Sequence, residues 1–359
     1  MKRFIAGDPQ PAYTDGIMGL ALPSFSRRRF LRSGIALAGL GSLPGCGGRL
    51  VPGPQPAKVP RVGGLLPQAA SFPRVIQFRA AFLAGLAELG YEDGRTIAVE
   101  LRYADGKLER LPELAAELAH LPVDVLVVHG DPAMAAAKQA TGTVPIVFAL
   151  SSAPVESGYV ASLGRPGGNI TGLSEMTPEL SGKRLELLRG VAPSLARVAV
   201  VWSPQFPGPA LQYRELEGAA GATGVEVLPL PVRGPEDIGP AFEALGRGGA
   251  DAVVVLTGSV TSPSASQIVE LVARSRLPAI YGERLWADAG GLMSYGADVA
   301  DMWRRAAGYV DKILKGISPA ELPVEQPTTF DFVINLRTAH DLGLTIPPSV
   351  LQQATEVIE

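Results

Sequence analysis

Short apolar runs alternate with helix-patterned segments along most of this chain, and that alternation restricts the fold more than any other feature. The run 123–128 (VDVLVV) is apolar apart from Asp124, and 250–256 ends in AVVVL after an aspartate. Runs of this length without a polar side belong to strands covered on both faces. Residues 61–66 and 144–150 read as strands too. Residues 96–103 alternate, with Ile97, Val99, Leu101 and Tyr103 on one side, as a half-buried strand does. Between them, Ser71 and Pro73 open a helix with Val75, Phe78, Phe82, Leu86 and Leu89 on one face, and Gly90 closes it. Leu111, Leu114, Ala115 and Leu118 make the next helix face, and Asp131-Pro132 has the form of N-cap and N1 of a third. The second half repeats the scheme. Helices are expected over 177–191, within 209–222, over 235–245 and over 264–275, with strands at 197–202, 225–230, 250–256 and 279–281. The result is βαβα twice over: an α/β protein of two parallel sheets with helices on both faces.

In doubly wound sheets the ligand sits beyond the carboxyl ends of the strands. That rule selects Gln68 after the first strand, Gly130 and Asp131 after the third, and Ser151 and Ser152 after the fourth. In the second half it selects Trp202 and Ser203, then Thr257 and Ser259, then Tyr281 and Glu283. Two such rims facing each other make a cleft rich in hydroxyls and amides, with Asp131 and Glu283 as acids and Trp202 and Tyr281 as aromatic walls. It suits a small polar or amphipathic organic solute. Each residue also has a purely structural reading: Ser151, Ser152, Thr257 and Asp131 as helix caps, and Trp202 as packing between the halves. His129, at the end of its strand, is either a ligand contact or an inert position under a helix start.

Several function classes drop out. Net charge is −3 with no basic face, so nucleic acid is not an expected partner. His120, His129 and His340 are isolated, no metal-ligand spacing exists, and there is no Gly-x-Ser-x-Gly elbow, so neither catalysis, metal nor cofactor is expected. The glycine-rich stretch 164–172 lacks the Gly-Lys-Ser/Thr of a phosphate loop and reads as a turn into an extended segment. With a single cysteine, no internal disulfide can form.

That cysteine lies in a leader. Residues 26–32 (SRRRFLR), with Arg27 and Arg28, resemble the twin-arginine export motif. The apolar run 35–43 that follows has the length of a signal-peptide core and is too short to cross a bilayer. It ends in Leu43-Pro44-Gly45-Cys46, which resembles a lipobox, although Pro44 departs from the small or β-branched residue usual there. Met18 would begin a leader of more ordinary length. Cys46 is expected to carry lipid, and the Gly/Pro-rich stretch after it to act as a tether that holds the protein at the outer face of the cell membrane, or in the periplasm, without crossing it.

Later blocks carry a family resemblance. Residues 164–174 (GRPGGNITGLS) are similar to the RPGGNxTG stretch of one group of bacterial ABC-transporter substrate-binding lipoproteins, the group that includes tryptophan-type transporter components. Residues 180–188 (LSGKRLELL), 277–281 (LPAIY), 289–296 (AGGLMSYG), 304–316 (RRAAGYVDKILKG), 322–327 (LPVEQP) and 342–349 (LGLTIPPS) match further blocks in order, so the resemblance covers 61–359. It implies a type I periplasmic-binding-protein fold: two Rossmann-like lobes joined by a three-crossing hinge and closing on a ligand. The chain then divides into a leader (1–46), a tether (47–60), a first lobe (61–175 plus about 291–320) and a second lobe (176–290 plus about 321–359). The implied function is a lipid-anchored, monomeric receptor. It binds a small organic solute, such as an amino acid or an aromatic compound, and delivers it to an ABC permease and its ATPase subunit. The alternative is a sensor that presents the closed lobes to a signalling protein. A DNA-binding regulator with the same lobes would need a helix pair where the lipobox stands. The chain also departs from the family. It has Ser151-Ser152-Ala153-Pro154-Val155 where Gly-Asp-Pro-Val is frequent, Ser203 where Asn is frequent, and TGSVTS at 257–262 where Asp-Pro and aromatics are usual. The first of these removes an acid that could meet a cationic group.

Overall fold

The computed structural model describes residues 58–359, all within one compact unit, Ala57–Glu359. Arg27, Arg28, Cys46 and most of the tether lie outside the described residues.

Two sheets carry the fold. The first holds β1 (Arg61–Leu66), β2 (Ala98–Tyr103), β3 (Val125–His129), β4 (Ile146–Ser151) and β5 (Ile170–Ser174), all parallel, in the order β2-β1-β3-β4-β5. The second holds β6 (Arg197–Trp202), β7 (Glu226–Pro231), β8 (Ala252–Val255), β9 (Ala279–Tyr281), β10 (Met293–Ala297), β11 (Phe330–Asn335) and β12 (Glu356–Ile358), in the order β12-β11-β10-β9-β8-β6-β7. Only the β10–β11 pair is antiparallel. The helices are α1 (Pro73–Glu88), α2 (Leu111–His120), α3 (Gly130–Ala140), α4 (Ser181–Val191), α5 (Pro207–Ala222), α6 (Ile238–Gly248), α7 (Ala265–Ser275), α8 (Arg284–Asp288), α9 (Val299–Leu314), α10 (Leu336–Asp341) and α11 (Pro348–Leu351). Each sheet is apolar on both sides. In the first, α1 and α9 cover one face through Phe78, Phe82, Leu86, Trp303 and Val310, while α2 and α3 cover the other through Leu114, Leu118 and Met134. In the second, α4 and α5 lie on one face, and α6, α7 and α8 on the other. These are two doubly wound lobes, the type I periplasmic-binding-protein arrangement.

The lobes exchange chain three times. The first crossing is the segment from Ser174 at the end of β5 to Ser181 at the start of α4. It holds Met176 at φ 52°, an unusual left-handed conformation for a side chain of this size. The second lies at Asp298, later than the expected point near 291, because β10 pairs with β9 and β11 and so stays in the second sheet. Beyond it, α9 packs on the first lobe so closely to α1 that a Cβ at Gly85 would lie 2.4 Å from the Arg304 carbonyl oxygen. The third crossing also comes later than residue 321. Residues 324 and 325 still hydrogen-bond to the first lobe: Glu325 N donates to the Gly172 oxygen and Ser174 N to the Glu325 oxygen. The second lobe resumes with β11.

Candidate functional site

Between the carboxyl ends of the two sheets lies a cavity of about 110 Å³. One ordered water needs about 10–15 Å³ of such space, so there is room for several waters or one small organic solute. The first-lobe rim consists of Pro67 and Gln68 after β1, Phe72, Arg74 and Phe78 on and before α1, His129 to Pro132 after β3, and Ser152 after β4. The opposite rim consists of Phe206 and Pro209 at the start of α5, Thr257, Gly258 and Ser259 after β8, and Glu283 after β9. Glu175, on the first crossing, forms part of the wall between them. The lobes touch. A Cβ at Gly208 of α5 would lie 1.8 Å from Ser152 Oγ of the other lobe.

Of the residues expected from strand ends, Gln68, Gly130, Asp131, Ser152, Thr257, Ser259 and Glu283 line this cavity. Ser151 is one layer behind, with its hydroxyl donating to Asp131 Oδ1 at 2.5 Å, while Ser152 donates to Oδ2 at 2.8 Å. Asp131 therefore caps nothing; His129 is the residue before α3, and the aspartate is held by the two serines. Ser203, 1% exposed, is packed beneath the loop at Gly258. The aromatic walls need correcting. Trp202 points along its own lobe and stacks on Tyr213 with ring centroids 4.4 Å apart. Tyr281 is 1% exposed and stacks on Trp286 under α8. Neither lines the cavity, because helix α5 or α8 follows each strand and covers the ring. The aromatic surface comes from Phe72, Phe78 and Phe206 instead.

Four functional candidates escape strand-end reasoning as applied. Glu175 follows β5, whose carboxyl end the same rule would have selected. Arg74 and Phe78 stand four apart on α1, so they share the face of its first turns that looks into the cleft. Arg184 is fully buried in α4, on the stripe formed by Leu180, Leu187, Leu188 and Val191. A charge on an apolar helical stripe was the available signal. Arg184 Nε donates to the Tyr295 oxygen at 2.8 Å and Nη1 to the Thr177 oxygen at 3.1 Å, and Nη2 has no partner among the described residues.

The cleft is electrostatically crowded. Burial raises Glu175 above the ordinary glutamate value, and the nearby charges of Glu283 and Asp131 raise it further against the pull of Arg184. Burial also raises Glu283, opposed by Arg74, Ser262 and Arg184, and it raises Asp131 against the hydrogen bonds from Ser151 and Ser152. Burial lowers Arg184 to about 10, with Glu175 and Glu283 countering. Polar atoms here also lack partners: Gln68 Oε1, Arg74 Nε, Thr257 Oγ1 and Ser259 Oγ make no hydrogen bond among the described residues. Buried polar groups are nearly always paired, and this cleft leaves several open among the described residues. No group of residues suited to a metal ion occurs among the described residues.

The family model described as "ABC transporter substrate binding protein" matches residues 68–358. The chain belongs to that family. This substrate-binding protein is therefore a binding protein, not an enzyme. It is 24% identical over 277 residues to a "Tyrosine-binding protein" of Clostridioides difficile, covering 77% of this chain and 79% of that one. Its structure is similar to an ABC domain in complex with L-Trp from Streptococcus pneumonia, with a TM-score of 0.78 and 26% identity over 83% of this chain and 99% of that chain. It is also similar to a conserved domain protein from Vibrio cholerae, with a TM-score of 0.79 and 27% identity over 84% of this chain and all of the other. Substrate-binding proteins of ABC importers are exported. No helix of this one, among the described residues, is long and apolar enough to cross a membrane.

Proposed function

We propose that this substrate-binding protein is a monomeric receptor, anchored by lipid at Cys46, that captures a small organic solute with a cationic group and delivers it to an ABC permease and its ATPase subunit. An amino acid, with an aromatic side chain or without one, is the solute class we favour. The observation that carries this reading is the convergence of Glu175 and Glu283 with unpartnered donors and acceptors in one inter-lobe cleft. An ammonium group offsets the crowded carboxylates, and a carboxylate answers Arg74 and the hydroxyls. Phe72, Phe78 and Phe206 give an apolar side chain its surface. The ligands printed in the names of the tyrosine-binding relative and the L-Trp complex agree with that class. The mechanism is population shift. A solute that touches both rims only in the closed arrangement stabilises closure by that differential contact, and the permease reads the closed shape.

The test is a thermal-shift screen of the purified receptor over amino acids, aromatic acids and small amides. A solute at 100 times its Kd adds about 2.7 kcal/mol to stability. If no amino acid moves the midpoint, the amino-acid class is wrong. Fatty-acid labelling of the parent beside an unlabelled Cys46→Ser variant tests the anchor, and an unlabelled parent overturns it.

A further inference from the structure

His129 occupies an unusual place in the cleft wall. It ends β3, at the point where a doubly wound sheet meets its ligand. Its ring belongs to a three-ring cluster, with Phe78 at 5.2 Å and Trp303 at 5.8 Å between centroids and those two rings 6.2 Å from each other. Trp303 Nε1 donates to His129 Nδ1 at 3.1 Å. An indole N–H can only donate, so Nδ1 must accept and the ring proton sits on Nε2. The bond at Nδ1 is the only hydrogen bond the ring makes among the described residues, and Nε2 is not among the buried atoms left without a partner. His129 lines the cavity, and with Nδ1 taken up by Trp303 its Nε2–H is the donor the ring has left for a solute.

We propose that His129 is a solute-contacting residue whose Nε2–H donates to an acceptor oxygen of the bound solute, with Trp303 as the positioning residue that fixes the tautomer. This rests on the cleft being the solute site. The solute class is narrowed to molecules with a carboxylate or carbonyl oxygen within reach of β3, on the Phe78 side of the cleft. Charge supports the assignment. The groups near the ring are the Arg74 guanidinium from α1 and Asp131 from α3, while α9 contributes only the neutral Trp303. Burial, with Arg74 adding to it, lowers His129 to about 4. The ring thus stays neutral around pH 7. It donates one directed hydrogen bond and adds no charge beside Arg74. Trp303 belongs to α9, which enters the first lobe directly after the second crossing.

Two measurements decide this. Nitrogen-15 NMR of the unliganded protein reads the tautomer of His129. The expected spectrum has a protonated Nε2 and an unprotonated Nδ1 that persist down to about pH 5; a protonated Nδ1, or a ring that is already charged there, overturns the inference. Binding of L-tryptophan and L-tyrosine is then compared between the parent and three variants. His129→Phe keeps the stack and removes the donor, and is expected to weaken binding roughly tenfold. His129→Gln restores an N–H and is expected to recover part of that loss. Trp303→Phe keeps a ring and frees the tautomer, and should cost several-fold while the spectrum shows both tautomers. Parent-like binding by His129→Phe overturns the contact. Failure of both amino acids to bind the parent would count against the proposed solute class. The tautomer, read without ligand, judges the inference separately.

Discussion

Asp131 and Glu175 line the same cleft and are bridged by Ser151, whose hydroxyl donates to Asp131 and whose backbone oxygen accepts from Glu175 N, yet their surroundings differ in kind. Asp131 is complete: Ser151 and Ser152 each donate to one carboxylate oxygen, and the Tyr159 hydroxyl donates to its backbone oxygen at 3.0 Å. Glu175 belongs to a cluster that is incomplete. It shares a small volume with Glu283 and the buried Arg184, whose Nη2 has no partner among the described residues, and with Thr257, whose Oγ1 has none either. A satisfied buried group stabilises the fold and has little left to offer a ligand. An unsatisfied one costs the empty protein roughly 1–3 kcal/mol and returns that when a partner arrives. Asp131 with its serines is therefore placed for rigidity, while the Glu175 cluster keeps open groups.

The largest effect is expected at Arg184. Arg184→Met removes the one buried cation between Glu175 and Glu283 and should destabilise the protein by about 3 kcal/mol near neutral pH. The loss should shrink in acid. Burial raises both glutamates above their ordinary value of 4.5. The stability linked to them is thus fully present below 4.5 and lost as pH rises through the raised values. Without the guanidinium that fall steepens. Urea midpoints at about pH 5 and about pH 8 check this, and equal losses at both would mean that Arg184 acts by packing alone.

A middle-sized effect is expected where the lobes meet. A Cβ at position 208 would lie 1.8 Å from Ser152 Oγ and 2.8 Å from Ser152 Cβ. Ser152 is committed to Asp131, so it cannot turn away without breaking that hydrogen bond. Gly208→Ala should hold the lobes apart. Overpacking of this kind costs about 1–3 kcal/mol, here charged to closure, so solute affinity should fall roughly tenfold or more while the ligand-free unfolding midpoint stays within about 0.5 kcal/mol. Unchanged affinity would show that solute binds without this contact.

The smallest effects sharpen the contrast directly. Thr257→Val deletes an unpartnered hydroxyl. Ligand-free stability should hold or rise by up to about 1 kcal/mol, with affinity down several-fold. Asp131→Asn should do the reverse: its amide cannot accept from both serines, so stability should drop by about 1 kcal/mol with affinity changed less than about threefold. Paired denaturation and calorimetric titration read both. A large affinity loss in Asp131→Asn would make Asp131 a solute contact and end the distinction.

Much of this was legible in the chain itself. Uninterrupted apolar runs such as AVVVL could only be strands buried on two faces, and the segments between them had helical spacing. Order and alternation gave two doubly wound lobes, and the strand-end rule found Gln68, Gly130, Asp131, Ser152, Thr257, Ser259 and Glu283 in the cleft wall. These are consequences of local periodicity and of a topology that leaves few places for a ligand. Tertiary structure decided what periodicity cannot encode. Trp202 and Tyr281 stand at strand ends as required, yet α5 and α8 close over their rings. Strand β10 remains in the second sheet because of its pairing with β9 and β11, which moves the crossing to Asp298. Arg184 and Trp303 enter the story only because residues 110 or more positions away fold against them: Tyr295 in one case, His129 in the other. Which polar groups are satisfied, and which are left open for a solute, depends on partners brought together through space, and no spacing along the chain carries that information.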